Sequence, residues 1–125
     1  MPPAEDARLI LVLALRHEQS LMMAMNPAFP QENWGFLAQQ EVENLLKGMI
    51  VLQGREAPLT HNLGQLATQA AIALPEALLD LETFAVRARY TPAGTDLPEP
   101  RERLLERIKQ LRQLLEEGIR EQEGN

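Results

Sequence analysis

The sequence contains no cysteine. That removes disulfides, thiolate metal sites and cysteine nucleophiles at once, and it fits a reducing compartment such as the cytoplasm. Aromatics are scarce, with one Trp, one Tyr and three Phe in 125 residues. A core must therefore be filled by Leu, Ala, Val, Ile and Met, which suit helices better than strands. No long apolar run is present. The longest, Leu9 to Leu15, is far short of the roughly 20 residues of a membrane span. Nor is there a basic excess: the net charge of −6 argues against general binding to a phosphate backbone. The opening residues Met1 to Asp6 carry no basic segment, so no signal peptide is expected.

Hydrophobic residues make up 45% of the chain, enough for one continuous core, and the length favours a single domain over residues 1–125. Pro3, followed by Glu5 and Asp6, predicts a first helix from about Pro3 to Met25, stopped by Asn26-Pro27. A second helix is predicted from about Glu32 to Gln53. Trp34, Ala38, Val42, Leu45, Met49 and Leu52 recur there every three or four residues, and Gly54 follows as the residue past the end. Thr60 is a candidate cap for a shorter third helix bearing Leu63, Leu66, Ala67 and Ala70. Pro75 is expected to open a fourth, running to about Arg89 with Leu78, Leu81, Phe84 and Ala85 buried. Tyr90 to Pro98 reads as loop, and a last helix is expected from Pro100 to about Arg120. These rods imply an all-α, antiparallel up-and-down bundle of four to five helices, with a core over about 3–92 and a C-terminal helix over about 100–120.

Few residues carry evident chemistry. Gln40, Glu43 and Lys47 lie at offsets of three and four on the second helix, so they share one face. By periodicity alone the Glu43–Lys47 pair reads first as an ordinary surface salt bridge. His17 sits among apolar neighbours and reads as a boundary residue. His61 stands at a helix start, where either capping or anion contact is possible. Arg87, Arg89 and Tyr90 close the fourth helix, either complementing its dipole or offering a guanidinium fork and a phenol to an anion. The two histidines lack metal-ligand spacing, and neither a metal site nor a cofactor is expected.

Three strings then resemble elements of the HEPN domain family. Trp34 to Gly48 (WGFLAQQEVENLLKG) is similar to its central helix, Thr60-His61-Asn62-Leu63 to its TH-(D/N)-L element, and Arg89-Tyr90 to its RY signature. Order and spacing agree over roughly residues 5–92. The resemblance implies a helical bundle, often a homodimer or higher oligomer, that works beside a minimal nucleotidyltransferase. The pair would form a nucleotide-substrate module or a toxin–antitoxin system. It also implies a ligand-binding set of Gln40, Glu43, Lys47, His61, Arg89 and Tyr90. Lys47 and Arg89 would face phosphate, Glu43 would orient Lys47, and His61 or Tyr90 would donate a hydrogen bond. Many HEPN ribonucleases carry Arg-x4–6-His near the last helix, but no histidine follows His61 here. The expectation is therefore a non-catalytic module with no catalytic residues. Two alternatives stand beside it: a metal-independent ribonuclease using His61 with an arginine, and a self-associating helical scaffold. Met22, Met23 and Met25 are the apolar residues expected to support self-association.

Overall fold

A computed structural model describes residues 2–86 and 96–124. Helix α1 spans Pro3–Met23 and α2 spans Gln31–Leu52. The short α3 covers Leu63–Ala70, followed by α4 (Glu76–Leu79), a 3-10 turn (Asp80–Glu82) and α5 (Thr83–Val86). Helix α6 spans Arg101–Glu123. No strand occurs among the described residues, and the molecule is the expected all-α bundle.

The second helix is the axis of the bundle, packing against α1, α3, α5 and α6. That is why it is buried nearly all round, as a helix surrounded by others must be. Trp34, Ala38, Val42, Leu45, Leu46 and Ile50 are fully covered. Each buried large aliphatic side chain contributes roughly 1.5–3 kcal/mol. From α1, Ala7, Leu11, Ala14 and Leu21 meet them at helical spacing, and from α6 come Leu104, Ile108, Leu111, Leu115 and Ile119. At the end of α2, Gly54 has φ +80°, the left-handed conformation expected of the residue that ends a helix.

The last helix runs three residues past the expected Arg120, to Glu123, and three other boundaries differ from the sequence reading. Helix α1 stops at Met23, two residues early, because Asn26 folds back in a turn whose side-chain oxygen accepts from the Ala28 N–H at 2.8 Å. The cap of α3 is Asn62, not Thr60: its side chain accepts from the Gln65 N–H at 2.9 Å. The fourth helix is broken by the 3-10 turn. Its apolar residues Leu78, Leu81 and Phe84 recur at intervals of three, the period of a 3-10 helix rather than an α-helix. This irregular segment seats Phe84 on Gly35, where a β-carbon would lie 2.5 Å from the ring. Only glycine permits so close an approach.

Polar contacts lock the ends. Trp34 Nε1 donates to the Leu21 carbonyl at 3.1 Å, satisfying one of the last carbonyls of α1. Arg101 is buried at the start of α6, where the helix dipole disfavours a cation. Its guanidinium compensates by donating to three loop carbonyls, Ala24 at 2.7 Å, Asn26 at 2.8 Å, and Phe29. No helix among the described residues is long and apolar enough to cross a membrane.

Candidate functional site

Gln39, Glu43 and Lys47 stand one turn apart along α2, so their side chains line up. Glu43 is buried, and its carboxylate accepts from Gln39 Nε2 at 3.2 Å and from Lys47 Nζ at 3.1 Å. A third donor arrives from the chain that follows α2. There Thr60 Oγ1 accepts from the Asn62 N–H at 3.1 Å and donates to Gln65 Oε1 at 3.1 Å, while Asn62 caps α3. This double turn holds His61 over α2, with its Nδ1 at 3.0 and 3.1 Å from the two oxygens of Glu43. Glu82 fastens the same corner from the 3-10 turn, accepting from the Leu63 N–H at 2.6 Å.

The carboxylate is thus the hub of the site. Burial pushes the Glu43 carboxyl up, but hydrogen bonds from His61, Lys47 and Gln39 outweigh that effect and hold it below the usual range near 4.5. An ionised Glu43 offers only acceptors, so the Nδ1 of His61 carries the proton that joins them. The His61 side chain is 71% exposed, which leaves its Nε2 open to a ligand. The Lys47 side chain is only 18% exposed and is held against Glu43. A fixed carboxylate that holds an ammonium and an imidazole in place can direct both toward an anion.

Of the six residues singled out from sequence, the structure brings Glu43, Lys47 and His61 together. Gln40 is half-buried on α2, and Gln39, one residue earlier, is the amide that reaches Glu43. The i,i+4 spacing of Gln39 and Glu43 was the available signal. Arg89 and Tyr90, and with them Arg87, lie outside the described residues. His17 is a half-buried boundary residue, 3.3 Å from the Asn44 amide. Arg55, which has ribonuclease-like spacing to His61, donates instead to the Gln69 carbonyl and Gln53. It therefore holds the far end of α3, about 12 Å along an eight-residue helix from the His61 end. Among the described residues, no group of three or more potential ligands could hold a metal ion.

The family model for the HEPN domain matches residues 32–119, from the start of α2 nearly to the end of α6. The chain belongs to the HEPN domain family. Comparison with curated proteins and with solved structures gives no match. The matched stretch of this HEPN domain contains the whole Gln39–Glu43–Lys47–His61 cluster, and it takes in α6, which the sequence motifs did not reach. Helix α1, which packs along α2, precedes the matched stretch.

Proposed function

We propose that this HEPN domain is a non-catalytic module that binds a nucleotide and pairs with a minimal nucleotidyltransferase, in a cytoplasmic two-protein system of the toxin–antitoxin kind. The observation that most supports this reading is the convergence of Lys47 and His61 on a buried Glu43. The carboxylate fixes both donors in place, so little side-chain freedom is lost when an anion arrives. A phosphate would be held by Lys47 Nζ and by the free Nε2 of His61, which donates once the ring is protonated. Gln40, Arg89 and Tyr90 complete the proposed ligand set on the strength of the family resemblance, with Arg89 as a second positive charge for phosphate and Tyr90 as a hydrogen-bond donor.

Self-association belongs to the same proposal. It is supported by the outer face of α1, where Leu9, Val12, Leu13 and Met23 are exposed at helical spacing, with Met22 also exposed away from that face.

Calorimetric titration of ATP, and of the other nucleoside triphosphates, against wild type, Lys47→Ala and Arg89→Ala tests the ligand. The expected result is binding to wild type and at least tenfold weaker binding to each variant at unchanged helicity. Equal affinities in all three proteins would overturn the site. Cleavage of RNA by wild type, lost in His61→Ala, would replace this reading with a ribonuclease.

A further inference from the structure

A second polar cluster lies on another side of α2, where α1 and α6 meet it. Glu41 is fully buried there, and neither of its carboxyl oxygens has a hydrogen-bond partner among the described residues. The charged groups facing it are Glu18 from α1 and Arg112 from α6. Arg112 is already committed: its Nε and Nη2 donate to the two oxygens of Glu18 at 3.1 Å each, and its Nη1 donates to Glu116 at 2.6 Å. The neighbouring titratable groups turn elsewhere, His17 to Asn44 and Glu43 to Lys47 and His61. Three carboxyl groups thus draw on one guanidinium, and an ionised Glu41 would be a buried charge without a hydrogen-bond donor of its own among the described residues.

Helix α6 is not held equally along its length. At its start Arg101 clamps the helix to three loop carbonyls. Past Arg112 the helix is held by apolar contacts of Leu115 and Ile119, by Gln122 donating to the Leu52 carbonyl at 2.6 Å, and by an exposed Arg8–Glu123 ion pair. Lifting that half would let water reach Glu18 and Glu41 while the other half stayed clamped.

We propose that residues 113–123, beyond the Arg112–Glu18 pair, form a latched arm, seated on α1 and α2 only while Glu41 carries a proton and released when that proton leaves. Burial, followed by the nearby Glu18 charge, pushes the Glu41 carboxyl up to about 8 despite the opposing Arg112. The arm is therefore held fully in acid, and its hold is lost as pH rises from the ordinary carboxyl value of 4.5 through about 8. Its release exposes the apolar side chains of Leu115 and Ile119, which the closed bundle covers.

Hydrogen exchange read by mass spectrometry on the full chain at pH 6.5 and pH 9, corrected for intrinsic rates, tests the latch. In wild type, protection of residues 113–123 should fall tenfold or more at pH 9, while α2 and residues 101–108 keep theirs. Glu41→Gln, neutral at both pH values, should keep the arm protected throughout. Glu41→Met serves the same purpose if the amide variant folds poorly. Equal arm protection at both pH values in wild type overturns the proposal. So does an equal loss of protection in the neutral variants, or a loss spread over the whole chain.

Discussion

Replacing Glu43 by Gln removes one charge from the centre of the site and leaves its shape. In the folded protein the carboxylate accepts from Gln39, Lys47 and His61. Bonds to a charged acceptor are worth about 1.5–3 kcal/mol each against about 0.5–1.5 for a neutral one. The His61 contact is largely exposed and counts for little. The Gln39 and Lys47 contacts are covered, and an amide at position 43 cannot accept from both with full strength. The expected loss is about 2 kcal/mol at pH 7, measured by urea denaturation with an unchanged slope. The pH dependence follows from the direction of the Glu43 displacement. Because its folded-state carboxyl titrates below the ordinary value near 4.5, its stabilisation is present above that value and disappears as pH falls through the folded one. The gap between wild type and Glu43→Gln should stay constant from pH 8 down to about 5 and narrow below that. A gap under about 0.5 kcal/mol at pH 7, or one that widens in acid, would refute the picture of Glu43 as a buried hub.

Two further outcomes are expected. Arg101→Met should cost about 2–4 kcal/mol in the same denaturation assay, because the Ala24, Asn26 and Phe29 carbonyls lose a charged donor in a covered corner; a loss below about 1 kcal/mol would show that water replaces the guanidinium there. Sedimentation at micromolar concentration should find wild type as a dimer and Leu13→Glu as a monomer, since a charge in the middle of the apolar face of α1 cannot be buried unpaired; a monomeric wild type would remove self-association.

The helices themselves were legible because each carries its own period and its own punctuation. Pro3 opens α1, Gly54 ends α2, and the stripe from Trp34 to Met49 faces inward as its spacing requires. Such signals are local, and a chain displays them whether or not it has folded. Of the site, Glu43 and Lys47 could be paired for the same reason, since one helical turn brings them together.

Tertiary packing decided the rest. Eighteen residues separate Glu43 from His61, and only the fold of the Thr60–Asn62 turn over α2 makes them partners. Whether an arginine at the start of α6 is a liability or a clamp depends on which carbonyls stand opposite, and Arg101 finds three from a loop more than 70 residues away. Burial divided the acids in the same way. Glu41 and Glu43 are two residues apart on one helix, yet one meets three donors and the other meets none among the described residues. Periodicity reports the side of a helix on which a residue stands. The charge it can carry is set by what the neighbouring helices place against it.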